Sequence, residues 1–247
     1  MDDIHTRGIE MASFNWKYEA ETEWDKRAVF WNKRSRDMWD NGSRKDVLPF
    51  MNNFVSQGSK LLDIGCGDGY GTHKLYKSGY NVTGVDLSPE MIQIAKSSVM
   101  DNIHFFQGDV NKLPFAAREF DGIMAINILE WVEDPLFALQ EMKRVVNING
   151  ILCVGVLGPT AGPRTNSYPR LHGQKAICNT MMPWEFSQLA SELSLECIDS
   201  YGVYKAGVEK RHYHDLPLKL KQSLSFMWVF MLRNVGEYSE RKRQTSY

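Results

Sequence analysis

Leu61-Leu62-Asp63-Ile64-Gly65-Cys66-Gly67-Asp68-Gly69-Tyr70-Gly71 is the stretch that decides the fold. Leu61, Leu62 and Ile64 suit a buried strand, and Gly65, Gly67 and Gly69 let the backbone turn sharply and approach a ligand with no Cβ in the way. Residues 71–79 then read as a short helix that stops at Gly79. A strand, a glycine turn and a helix in this order form a loop of the kind that holds a nucleoside cofactor.

The glycine spacing narrows the ligand. The dinucleotide fingerprint needs GxGxxG. Counted from Gly65, the third glycine slot holds Tyr70; counted from Gly67, it holds Thr72. A phosphate-cradling loop fails too, because no Gly-Lys-Ser/Thr follows the turn. Asp63, just before the first glycine, would repel a pyrophosphate and attract a cation. The turn therefore favours a ligand with an amine or a sulfonium.

Working outward, the chain has 247 residues and 43% hydrophobic content, enough for one substantial core, and its length suits a single domain. A formal net charge of -1 argues against a broad basic nucleic-acid surface, and no DNA partner is expected. Cys66, Cys153, Cys178 and Cys197 form no CxxC pair and read as reduced thiols, with Cys66 chosen for its small size in a glycine turn. Residues 1–11 lack the apolar segment of a signal peptide, and the apolar run 224–232 is too short for a membrane span. A cytoplasmic location with no membrane span is the expectation.

From residue 60 onward, strands and helices alternate. Residues 60–64, 82–85, 103–107, 122–126 and 151–156 read as strands. Ser88-Pro89-Glu90 opens a helix with Met91, Ile92, Ala95 and Val99 on its buried stripe, and residues 135–146 form another that Asn149-Gly150 would stop. The alternation predicts an α/β fold with a doubly wound, seven-stranded, mostly parallel sheet of Rossmann-like type, whose ligands bind at the C-terminal strand ends. Ahead of it, Trp16, Ala20, Trp24, Ala28, Trp31 and Met38 recur at helical spacing up to Asn41-Gly42. Such a stripe reads as packing before it reads as a ligand-closing face. Ser43 and Asp46 resemble a capping box for a second helix through Val55, which Pro49 would strain. The expected organisation is cap helices over 12–57, a cofactor core over 60–156, an acceptor-side segment over 157–182, then a helix and two strands over 183–234. The polar tail 237–247 reads as mobile.

Two more acids complete a constellation. Asp86 closes the second strand, where a carboxylate accepts hydrogen bonds from both ribose hydroxyls. Asp109 closes the third and suits an exocyclic adenine amine, with the Val110 N–H for a ring nitrogen.

On these residues the sequence resembles the class I S-adenosylmethionine-dependent methyltransferases, in a branch similar to quinone-biosynthesis and other small-molecule enzymes. Five ordered signals carry the resemblance over 60–156: the Asp-x-Gly-x-Gly-x-Gly turn, Gly-Val-Asp86-Leu-Ser-Pro-Glu-Met, Gly-Asp109-Val with Leu113-Pro114-Phe115, Phe120-Asp121-Gly-Ile, and the helix before Asn149-Gly150. The resemblance implies S-adenosyl-L-methionine as cofactor and S-adenosyl-L-homocysteine as product. It assigns Asp63 to the methionine amine, often through water, Gly65 and Gly67 to the sulfonium side, Asp86 to the ribose, and Asp109 with Val110 to adenine. Asn127 and Ile128 would line the methionine end, and Cys66, Gly69 and Leu87 complete the implied cofactor set. Methyl transfer to a small-molecule acceptor is the implied activity, with an RNA or protein acceptor, or a non-catalytic binding module, as the alternatives.

The acceptor side departs from several relatives. Asn127-Ile128-Leu129-Glu130-Trp131 replaces the Asn-Pro-Pro-Tyr of nucleic-acid amine methylation, the Pro-Cys nucleophile is missing, and Trp131 stands where many relatives have His. No acidic cluster marks a metal site in this loop. Trp131, Tyr168 and His172 are the candidate acceptor-side residues, with Trp184 another aromatic beside the irregular segment, and Lys210 or Arg211 suit a negative acceptor. Glu130, His172, His212 and His214 qualify as general bases by type alone. No partner spacing singles out a catalytic residue.

Overall fold

The structure, a computed structural model, describes residues 14–98 and 102–236. The expectations for 1–11 and 237–247 lie outside them. Among the described residues the sheet has seven strands: β1 (Lys60–Ile64), β2 (Asn81–Asp86), β3 (His104–Gln107), β4 (Phe120–Ile126), β5 (Val146–Leu157), β6 (Leu195–Tyr204) and β7 (Ser225–Asn234). Their spatial order is β3-β2-β1-β4-β5-β7-β6. The first five are parallel, and β7 runs antiparallel between β5 and β6. This is the predicted doubly wound sheet. Strand order reverses between β1 and β4, which opens a crevice at their C-terminal ends.

β1 shows why a continuous apolar run suits this position. Successive side chains point to opposite faces, so Leu62 and Ile64 join one core with Phe120, Leu139 and Phe186, while Leu61 joins the other with Met51, Leu75 and Met124. Both leucines have no exposed surface. Burying such a side chain contributes roughly 1.5–3 kcal/mol.

Among the described residues, seven α-helices surround the sheet: α1 (Trp16–Asp40), α2 (Val47–Asn52), α3 (Tyr70–Lys77), α4 (Pro89–Ser98), α5 (Pro135–Val145), α6 (Pro183–Glu192) and α7 (Leu218–Leu224). Their starts follow local chemistry. The Ser88 hydroxyl accepts from Met91 N–H at 3.1 Å ahead of Pro89, and Asp134 accepts from Phe137 N–H at 3.0 Å ahead of Pro135. No helix among the described residues is long and apolar enough to cross a membrane.

The elements differ from the sequence expectations in four places. The second helix is short: Asp46 caps it without a side-chain bond, the Ser43 box does not form, and Pro49 falls in its first turn, where a missing N–H costs little. The helix expected over 135–146 does not end at Asn149-Gly150. It ends at Val145, the chain enters β5 at once, and Asn149, at φ 65°, sits in a bulge where the register jumps from Phe120–Val146 to Gly122–Ile151. Residues 157–180 are not merely irregular, since Gly162–His172 forms a 3-10 helix. Leu224 closes α7, so the last strand begins at Ser225.

Candidate active site

The loops after β1, β2, β3 and β4 border one cavity of about 240 Å³, with α1 across its top. After β1, Gly65 and Gly67 take φ of 69° and 55°, a left-handed conformation that glycine reaches without strain. A Cβ on Gly65 would run into the Ile128 Cγ2, whereas one on Gly67 would meet only the Met91 sulfur at 4.0 Å. Gly69 is different. It does not border the cavity, and its Cβ would meet Phe105 at 2.9 Å, so its role is close packing of the turn on β3.

Asp86 stands on the cavity wall with one carboxylate oxygen accepting from Gly67 N–H and the other from Ser88 N–H, both at 2.9 Å. Burial pushes its carboxyl up to about 6, against the pull of those two N–H groups. Asp109 is also on the wall, accepting from Asn111 N–H at 2.9 Å and pairing with Lys17 at 3.5 Å. The Asn111 Oδ1 beside it is buried with no hydrogen-bond partner. Leu87, Val110, Cys66, Asn127 and Ile128 all border the same cavity. Burial, aided by nearby carboxylates, pushes the Cys66 thiol up, which leaves it a poor nucleophile.

Asp63 does not border the cavity. It lies 3% exposed behind the turn, accepting from the Thr72 hydroxyl at 2.6 Å, and burial pushes its carboxyl up to about 7. The group on the wall here is Arg44, which burial pushes down and whose charge Asp63 and Asp68 favour. The sequence reading passed over Arg44, a lone basic residue after a helix stop, and Asp68, a second acid inside the quoted turn. Asp68 is buried and accepts from Asn32 at 3.0 Å and Ser35 at 2.8 Å, both on α1.

The tryptophan stripe of α1 faces inward. Trp16, Ala20, Trp24, Trp31 and Met38 border the cavity, while Ala28 is packed beneath. The stripe is thus cavity wall as well as packing. Trp131 borders the cavity as expected of an acceptor-side residue, but Tyr168 and His172 do not. These two lie exposed on the 3-10 helix, ring to ring at 5.3 Å, because that helix turns them outward while Pro163 at its start faces in. Glu130 is also off the wall: fully buried, it accepts from Leu157 N–H, and burial pushes its carboxyl up to about 7. His212, His214, Lys210 and Arg211 are exposed and away from the cavity. Trp184 does not border it either.

Residues 62–154 match a family described as a methyltransferase domain. The chain carries a class I S-adenosylmethionine-dependent methyltransferase domain. The cofactor of this methyltransferase domain is S-adenosylmethionine. The chain is 32% identical over 140 residues to a ubiquinone biosynthesis O-methyltransferase of Haemophilus ducreyi, covering 49% of this chain and 59% of that one. It is 39% identical over 123 residues to a demethylmenaquinone methyltransferase of Staphylococcus haemolyticus, covering 47% and 51% respectively. The chain thus spans little more than half the length of these curated relatives. The protein solved in complex with the Haloferax volcanii Trm112 methyltransferase activator superposes with a TM-score of 0.70 at 18% identity, covering 89% of this chain and 99% of that one, a likeness of fold.

Proposed function

We propose that the methyltransferase domain transfers a methyl group from S-adenosylmethionine to a small-molecule acceptor. The observation that carries this reading is one cavity under α1 that polar groups from the β1–β3 loops line together with aromatic and aliphatic side chains of α1 and of the loop after β4.

The residues fit the cofactor. Asp86 would hold the ribose hydroxyls, and Asp109, Val110 and the unpartnered Asn111 Oδ1 would meet the adenine edge. Arg44, rather than Asp63 directly, would face the carboxylate of the methionine end, with Gly65 and Gly67 leaving room for its chain. Asp63 then stabilises Arg44 and the turn through Thr72. Asn127, Ile128 and Trp131 would stand between methionine end and acceptor. Bound there, the cofactor supplies an electrophilic sulfonium methyl. The chain's part is to align the acceptor in line with it and keep water out. Among the described residues of the loop after β4, Glu133 is the carboxylate on the cavity wall, and it is exposed.

Incubation with methyl-labelled cofactor and small-molecule extracts, followed by mass identification, tests the reading. Label should appear in a low-mass product. Label confined to RNA or protein, or no turnover despite cofactor binding, would count against it.

A further inference from the structure

The outside of the molecule carries a strongly basic face with apolar side chains set into it, which methyl transfer does not call for. We propose that the outer side of α1 and the adjoining 3-10 helix dock the chain on an anionic lipid bilayer. This goes beyond the methyl-transfer reading and does not depend on it.

The sequence concentrates the charge. Residues 26–36 hold Lys26, Arg27, Lys33, Arg34 and Arg36 with no Asp or Glu, and residues 158–184 hold Arg164, Arg170 and Lys175, again with no acid. The whole chain has a formal net charge of -1, so the rest of the molecule offsets these two stretches. Some of the cations are committed. Arg27 pairs with Glu23 at 2.5 Å, Arg36 lies over the Tyr70 ring, and Arg164 donates to the carbonyls of Gly158 and Met181. Lys26, Lys33, Arg34, Arg170 and Lys175 are exposed.

The fold gathers them. Lys26, Val29, Phe30 and Lys33 recur at i, i+3, i+4 and i+7, one stripe of α1. On the opposite side, Ala28 and Ser35 are buried and Trp24 and Trp31 border the cavity. Arg34 sits 5.2 Å over the Phe30 ring, so charge and ring are presented together. From the flank of α1, Arg27 donates to Asn166 Oδ1 at 3.1 Å, which holds the 3-10 helix alongside. That helix adds Tyr168, Arg170 and Leu171. Val29, Phe30, Tyr168 and Leu171 are each more than half exposed.

Exposed apolar side chains among cations match anionic headgroups lying over hydrocarbon. A nucleic acid would take the cations but has no place for Val29 and Leu171, which cannot stack on a base. The same two elements wall the cavity through Trp24, Trp31 and Pro163. Docking on this face would bring the rim of the cavity to the bilayer.

Cosedimentation of the full chain with vesicles tests the proposal. Vesicles of phosphatidylcholine with phosphatidylglycerol should bind at least about tenfold more tightly than phosphatidylcholine alone, and binding should fall as salt rises. A Lys33→Glu, Arg34→Glu variant should weaken that binding about tenfold or more, and so should a Val29→Ser, Leu171→Ser variant. Both should keep their Tm and their S-adenosylhomocysteine affinity. Equal binding to the two vesicles, or binding to neither, overturns the proposal for the unaltered chain, whatever the variants do. Anionic-vesicle binding that survives Val29→Ser, Leu171→Ser overturns it as well. Polyuridine or polyglutamate bound more tightly than the anionic vesicles would give the face to RNA or to an acidic protein instead. Failure of S-adenosylhomocysteine to bind the unaltered chain would remove the methyl-transfer reading alone.

Discussion

At residue 65 the backbone and a side chain from another loop compete for one space. The Gly65 φ of 69° strains any other residue, and the Ile128 Cγ2 occupies the place of a Cβ. Gly65→Ala should therefore displace Ile128 into the cavity, losing cofactor affinity more than stability, as calorimetry and thermal melts on the same sample would show. Asp86 acts differently, through charge. Asp86→Ala should weaken S-adenosylhomocysteine by roughly 1–3 kcal/mol, because charge-assisted hydrogen bonds are lost. An unchanged calorimetric affinity would refute its ribose role. Arg44→Gln should weaken S-adenosylmethionine yet leave decarboxylated S-adenosylmethionine nearly unaffected; equal losses for both would remove Arg44 from the carboxylate.

At the scale of elements, α1 joins the three cofactor loops. Its 25 residues span about 37 Å at 1.5 Å per residue. Lys17 reaches Asp109 after β3, Asp25 accepts from Ser88 after β2, and Asn32 with Ser35 hold Asp68 after β1. α1 lies across the cavity, so loosening it is expected to ease cofactor exchange. Asp68→Ala removes the most buried of the three ties, so it should speed S-adenosylhomocysteine release in stopped-flow experiments while the Asp86 contacts stay intact. A release rate equal to that of the unaltered chain would show that α1 does not gate exchange. The sequence made the strands and the acids at their ends legible, because each signal is local: an apolar run, a glycine, a carboxylate at a fixed distance. The inward face of α1 was not legible in this way. Helical spacing gives one stripe but not what it faces, and Arg44 and Asp68 gain their meaning only from partners outside their own loops. Tyr168 and His172 fall outside the cavity for the converse reason, since composition marks the segment and the 3-10 geometry decides which side turns inward.

For the molecule as a whole, the buried acids set a pH dependence whose sign is unusual. Burial raises Asp63 to about 7 from 3.8, Asp86 to about 6 from 3.8, and Glu130 to about 7 from 4.5. Between the ordinary and the raised values, the folded chain holds protons that the unfolded chain has already lost. Stability from these groups is therefore greatest toward acid and declines as pH rises from about 4 to about 7, beyond which it levels off. The chain without cofactor should melt higher near about pH 6 than near about pH 8. Ribose hydroxyls donate to an ionised Asp86, so S-adenosylhomocysteine should bind less tightly below about pH 6, and the rise in Tm that it causes should grow toward alkaline pH. Melts across this range with and without S-adenosylhomocysteine measure both slopes. A cofactor-free Tm that stays level or climbs from about pH 6 to about pH 8 would show that these carboxyls are already ionised in the folded chain.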